Sequence, residues 1–212
     1  VTDIATNTSA ISTINDTTLA NFTSGTQVFS DTRSNIGVGL DSLNSIASSG
    51  RNNVAVGTNA LYSVDGGSSN TAFGSNTLYA NVTGIGNNAA GTNALYSNTT
   101  GSRNAAFGNN ALYSNTTGNN NMAFGTSSAR NLVSGSNNIA VGVSSLTSLA
   151  SGDNNIAIGT KAGGSLESGS NNLFIGNNVC NNNNFSSVSN NFCMGMGNNN
   201  LMTGNFSAGI LV

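Results

Sequence analysis

The chain has 212 residues and 21.2 kDa, with Lys+Arg 5 and Asp+Glu 7, so 6 % of positions are charged, against about 25 % in an average soluble domain. It contains no His, Pro or Trp, which removes the commonest general base and metal ligand, and a net charge of −2 leaves no basic footprint for nucleic acid. No run of about 18 apolar residues is present, so no membrane insertion is expected, and Val1 opens without a charged leader, as a trimmed fragment would.

With 41 Asn, 31 Ser, 27 Gly and 22 Thr, the composition fits a low-complexity polymer or a ladder-forming repeat protein. A 37 % apolar share and a strict period favour the repeat.

Residues 1–31 lack the repeat and hold Ile4, Ile11, Ile14, Leu19, Phe22, Val28 and Phe29 among Ser, Thr and Asn. We expect an N-terminal cap or inter-chain junction here, because an open solenoid end exposes unpaired strand edges. Ile4, Ile11 and Ile14 fit heptad positions over too short a stretch to define a coiled coil.

Residues 32–176 carry a 17-residue repeat, Asn-x-small-apolar-Gly, as in Asn53–Gly57, Asn70–Gly74 and Asn104–Gly108. One Gly column closes that motif, and a second runs through Gly50, Gly67, Gly84, Gly101, Gly118, Gly135, Gly152 and Gly169. A fixed short period marks a solenoid. Apolar residues two apart, such as Val54 and Val56 or Ile156 and Ile158, predict one face of a strand. The Ala column between them (Ala55, Ala72, Ala89, Ala106, Ala123, Ala140, Ala157) reads as a surface where small side chains let neighbouring chains approach. A second short strand is expected at Asn59-Ala60-Leu61-Tyr62 and its equivalents, with Leu inward, and Ser114–Gly118 typifies the closing turn. The predicted fold is an all-β, parallel β-solenoid of about ten 17-residue coils, in register. Asn53, Asn70, Asn87, Asn104, Asn121, Asn138, Asn155 and Asn172 would form a structural ladder, each amide donating and accepting along the stack. A coil this thin buries few apolar groups against the entropy of ordering 17 residues, which predicts burial against further copies.

Residues 177–212 lose the period, and irregular C-terminal coils and a cap are expected, with Asn181–Asn184 as an inserted loop and an apolar end at Ile210-Leu211-Val212. Cys180 stands in the Leu column and Cys193 in the Ala column. As core substitutions they suggest two buried thiols, with a disulfide or metal ligation as alternatives.

The Asn-x-Ala-apolar-Gly motif followed by a small-Leu pair, clearest in Asn70 to Leu78 and Asn104 to Leu112, resembles the head repeats of YadA-like trimeric autotransporter adhesins. It is also similar to repeats of bacteriophage and large-virus tail-fibre proteins. The resemblance implies a left-handed β-roll, a homotrimeric fibre and attachment to a cell surface or matrix. The 17-residue period departs from the shorter adhesin repeat, which favours a fibre segment.

Tyr62, Tyr79, Tyr96 and Tyr113 share one column, predicting an outward stripe that either stacks on itself or binds glycan. Asn81, Asn98 and Asn115 are the periodic members of eight glycosylation sequons, the others being Asn7, Asn15, Asn21, Asn184 and Asn205. The acids Asp3, Asp16, Asp31, Asp41, Asp65, Asp153 and Glu167 form no repeated pair, so neither catalytic residues nor a metal or cofactor site is expected. The function expected is a non-enzymatic attachment fibre on a virion or cell surface, extracellular, with self and a surface glycan or receptor as partners. Alternatives are a subunit of a self-assembling extracellular filament and an ice-binding solenoid. The last would want a regular Thr column where the sequence has Thr58, Ser75, Thr92, Asn109, Thr126 and Val143.

Overall fold

The computed structural model of the chain describes residues 19–22, 26–46, 49–182, 185–197, 199–205 and 210–211. The heptad fit of Ile4, Ile11 and Ile14 and the sequons at Asn7, Asn15 and Asn184 lie outside the described residues.

The fold is an all-β solenoid with one short strand per coil. In chain order the coil strands are β3 (Ile36–Val38), β4 (Val54–Val56), β5 (Thr71–Phe73), β6 (Asn88–Ala90), β7 (Ala105–Phe107), β8 (Met122–Phe124), β9 (Ile139–Val141), β10 (Ile156–Ile158), β11 (Leu173–Ile175) and β12 (Asn191–Met196). Preceding them are β1 (Leu19–Phe22) and β2 (Thr26–Ser30), and β13 (Asn199–Asn205) and β14 (Ile210–Leu211) follow. Each coil strand pairs in parallel with the next, like column against like column: Ala55 with Ala72, Ala72 with Ala89, Ala89 with Ala106. Among the described residues, all fourteen strands form one sheet in sequence order. At its ends the pairing changes sense, β1–β2–β3 and β12–β13–β14 being antiparallel.

The structure corrects two expectations drawn from the repeat. First, the Ala column is the core side of the strand. Ala55, Ala72, Ala106, Ala123, Ala140 and Ala157 are all 0 % exposed, whereas Phe73, Phe124 and Ile158 of the flanking columns are 44–48 % exposed. Ala is required there because the coil is flat. Directly across the interior stand Leu61, Leu78, Leu95, Leu112 and Leu146, also fully buried, and one small and one large side chain fill the space. Coils that break the pattern keep the sum: Phe174 takes an Ala position and Gly163 the Leu position, where an added Cβ would lie 2.8 Å from Phe174 Cε2. Such compensation is what a close-packed interior demands.

Second, the Asn-Ala-Leu-Tyr segment is a stacked turn, not a strand. Asn59, Asn76, Asn93 and Asn110 have φ of +54° to +57°, and Leu61, Leu78, Leu95 and Leu112 have φ of +51° to +53°. Left-handed backbone is tolerated by Asn but uncommon for Leu. Bonds to neighbouring coils hold it: Leu61 N–H donates to Thr77 O and Ser63 N–H to Tyr79 O, while Asn59 N–H donates to Leu40 O. The side chains reinforce the stack, Asn59 Nδ2 donating to Asn76 Oδ1 at 3.0 Å.

The first Gly column follows from the same stacking. Gly108 has φ +141°, and a Cβ there would sit 2.6 Å from the carbonyl carbon and oxygen of Gly125. Only glycine meets both conditions without strain.

Cys180 and Cys193 form a disulfide, with Cα atoms 6.3 Å apart and both residues buried. This settles the alternatives against free thiols. Its cause is the flat interior, since the Leu and Ala columns face each other and Cys in both places brings the two sulfurs together across the core.

Candidate interaction surfaces

The predicted Asn ladder is present and its geometry is polarised. Asn70 donates from its backbone N–H (3.0 Å) and its Nδ2 (3.1 Å) to Asn53 Oδ1, one coil earlier. Its Nδ2 also donates to Gly84 O at 2.8 Å, tying the strand to the closing turn of its own coil. The arrangement recurs through Asn104 and Asn138 to Asn172. Because every Asn donates backwards, the first one needs an acceptor with no coil behind it. Asp31 supplies it: Asn35 N–H donates to Asp31 Oδ1 at 3.0 Å and Asn35 Nδ2 to Oδ2 at 3.0 Å. Arg33 adds an ion pair to Asp31 Oδ2 at 2.8 Å. Burial pushes the Asp31 carboxyl up, but the Asn35 and Arg33 hydrogen bonds outweigh it and hold the group below its ordinary 3.8.

Asn81, Asn98 and Asn115 are 0 % exposed, which corrects their reading as glycosylation candidates. Asn98 Nδ2 donates to Asn81 Oδ1 and Asn115 Nδ2 to Asn98 Oδ1, both at 2.7 Å. The nitrogen a glycan would need is therefore spent inside the coil. They form a second, internal amide ladder that the sequence announced only by its period. Adjoining coils place Val64, Leu132, Leu149 and Leu166 in this column, equally buried. Where amide meets leucine, Asn115 Oδ1 is left buried without a partner.

The tyrosines are half-buried and stacked face to face. Ring centroids are 5.0, 5.0 and 5.2 Å apart from Tyr62 to Tyr113, with planes within 8° of parallel. The Arg130 guanidinium lies over Tyr113 at 5.4 Å, a cation–π cap. Ring faces inside the stack are thus occupied, and the stripe presents ring edges and hydroxyls to any ligand.

The surface that column order did not reveal is the outer side of the sheet. Along it run two columns, one from Val54 through Met122 to Leu173 and one from Val56 through Phe107 and Phe124 to Ile175. Ile36 (46 %), Phe73 (47 %), Met122 (43 %), Phe124 (48 %) and Ile158 (44 %) stand out most, and Phe107 stacks on Phe124 at 4.6 Å. Ten strands at about 4.8 Å spacing make a strip about 43 Å long and two side chains wide, near 500 Å² in projection. That lies toward the upper end of the largest apolar patch a monomer exposes, about 300–600 Å².

Thr32, Arg33, Ser34, Arg51 and Asn52 line a shallow cleft of about 360 Å³ at the β3 end. Among the described residues no cluster of three or more His, Cys, Asp or Glu could hold a metal ion, and no helix is long and apolar enough to cross a membrane. No protein-family model, curated protein or solved structure matches the chain.

Proposed function

We propose that this chain is a non-enzymatic module of an extracellular attachment fibre, on a virion or a cell. In this reading several copies, three by resemblance to the adhesin and tail-fibre repeats, pack through their sheet faces into a rigid rod. The observation that carries it is the apolar outer face of the sheet, with Phe73 and Phe124 nearly half exposed on a monomer. The buried Cys180–Cys193 disulfide supports an oxidising, extracellular setting. Binding would come from weak contacts repeated along the rod and around its axis, so that avidity replaces a deep pocket. The Tyr62–Tyr113 stripe, offering a row of edges and hydroxyls to a surface glycan, is the first place for such contacts.

The test is retention of the labelled chain on a mucin-coated surface, alongside electron microscopy of its particles. Expected are rods of one length at every concentration, retained on mucin, with the Tyr79→Ser/Tyr96→Ser variant forming the same rods but washing off at least tenfold faster. Rods that bind no better to mucin than to a bare surface would contradict the glycan reading. Head-to-tail growth with concentration would favour the filament alternative, which the single-neighbour positions of β1 and β14 at the sheet ends support.

A further inference from the structure

We infer that the cleft at the β3 end binds an acidic sugar through its oxyanion, a carboxylate or a sulfate ester, held by the Arg51 guanidinium. The cleft, of about 360 Å³, is lined by Thr32, Arg33, Ser34, Arg51 and Asn52, so two of the chain's five cationic residues share it. None of the tyrosines lines it, and its walls all come from one copy of the chain. The site therefore goes beyond the stripe and the assembly proposed above.

The two arginines differ in what they offer a ligand. Arg33 Nε donates to Asp31 Oδ2 at 2.8 Å, and a terminal nitrogen pairs with the same oxygen at 2.8 Å. Asn35 holds that carboxylate from the other side, so Arg33 is a fixed wall whose charge is already balanced. Arg51 is exposed. Its backbone N–H donates to Ser68 Oγ and its carbonyl accepts from the Ser69 N–H, which anchors the backbone and leaves the guanidinium without a partner among the described residues. An open guanidinium fork fits the paired oxygens of a carboxylate or sulfate with two parallel N–H···O bonds. Asn52 N–H donates to Arg33 O at 3.0 Å, fixing the contributions of the two coils to each other before any ligand arrives. The remaining walls narrow the ligand class. Thr32, Ser34 and Asn52 supply two hydroxyls and an amide, groups that pair with sugar hydroxyls. No aliphatic or aromatic side chain lines the cleft, so a nucleobase would find nothing to stack on. The volume lies near the small end of ligand pockets, about 300–1,000 Å³, which suits a ring-sized ligand.

Calorimetric titration of the intact chain with glucuronic acid, glucose 6-sulfate and glucose tests the inference. Expected is one site per chain, with one or both acidic sugars binding at least about tenfold more tightly than glucose, as a charge-assisted pair of hydrogen bonds provides. The tighter of the two identifies carboxylate or sulfate ester as the group recognised. Arg51→Gln should bring the acidic sugars down to the level of glucose with the urea midpoint unchanged, because the guanidinium touches nothing in the fold. Arg51→Lys keeps the charge without the fork and should fall between. Arg103→Gln lies three coils further along the same corner, about 14 Å away, where salt screens its charge, and should change binding less than about twofold. Acidic sugars that bind no better than glucose would overturn the site, as would an Arg51→Gln variant that binds like the natural chain or an Arg103→Gln variant that loses as much as Arg51→Gln. Inorganic sulfate binding as tightly as the acidic sugars, or adenosine monophosphate binding more tightly than either, would overturn the sugar as its ligand.

Discussion

Two amide ladders run through this molecule, and they end differently. The long one, from Asn35 to Asn191, begins on the Asp31 carboxylate and passes its last acceptor, Asn172 Oδ1, to the Asn191 N–H at 3.0 Å. The short one, Asn81 to Asn115, runs up against Leu132 and leaves Asn115 Oδ1 buried and unpaired. An amide stack is a directed chain of hydrogen bonds, so its interior is satisfied by repetition alone while its ends need dedicated partners. In the long ladder the backbone N–H of each strand takes part, and the ladder cannot be swapped out piecemeal. In the short one no backbone N–H donates into the amide stack, the Nδ2 groups reach Gly84, Gly101 and Gly118 carbonyls that the long ladder also serves, and the same column accepts Leu in three later coils.

Breaking the long ladder should therefore cost most. Asn104→Leu removes the Nδ2 donor to Asn87 Oδ1 and Gly118 O and the acceptor of the Asn121 N–H, while the backbone N–H at 104 still donates to Asn87 Oδ1. With the buried Asn121 N–H orphaned at about 1–3 kcal/mol and two further hydrogen bonds lost, a loss of about 3 kcal/mol is expected in urea unfolding. The matching change in the short ladder, Asn98→Leu, leaves Asn81 Oδ1 only the 3.5 Å bond from Asn87 Nδ2 and frees one Asn115 Nδ2 hydrogen, but orphans no backbone group. About 2 kcal/mol is expected there, so a cost equal to that of Asn104→Leu would erase the distinction. Replacing Asn81, Asn98 and Asn115 together by Leu should change stability by less than about 1 kcal/mol, since every partner leaves at once and the orphaned acceptor goes with them. Gly84, Gly101 and Gly118 keep their long-ladder donors from Asn70, Asn87 and Asn104.

The smallest effect concerns the Asp31 end. Folding holds its carboxyl below 3.8, so on acidification the unfolded chain takes up this proton first. The stabilisation is present in full above about pH 3.8 and is lost as pH falls through the lower native value. Acid titration of the unfolding midpoint should show this loss in the natural chain, and Asp31→Asn should flatten it.

Much of this architecture was legible from the repeat. The period of 17, the in-register stacking and the main Asn ladder all follow from identical residues recurring at identical places. The inside of the strand was not legible. Apolar residues at Val54 and Val56 alternate as core residues do, yet the flat coil leaves room only for Ala55 against Leu61, and their apolarity belongs to an outer surface. Nor could local propensity give the left-handed backbone at Leu61 and Leu78, because that conformation is costly for a lone Leu and is held only by bonds to adjacent coils. The Cys180–Cys193 bridge follows at once when the Ala and Leu columns are known to face each other. Asn81, Asn98 and Asn115 looked like surface sequons because sequence motifs do not report burial.

The proposed cover of the outer sheet face is further copies of the chain. Sedimentation velocity of the intact chain beside Phe107→Asp/Phe124→Asp tests it most directly, because both rings project from the outer face and their loss leaves the Ala–Leu interior untouched. Expected is a single oligomer, at about three times the 21.2 kDa chain mass, that does not grow with concentration and that the double variant reduces to a folded monomer. An intact chain that sediments as a monomer, or a variant that assembles as well as the natural chain, would contradict it.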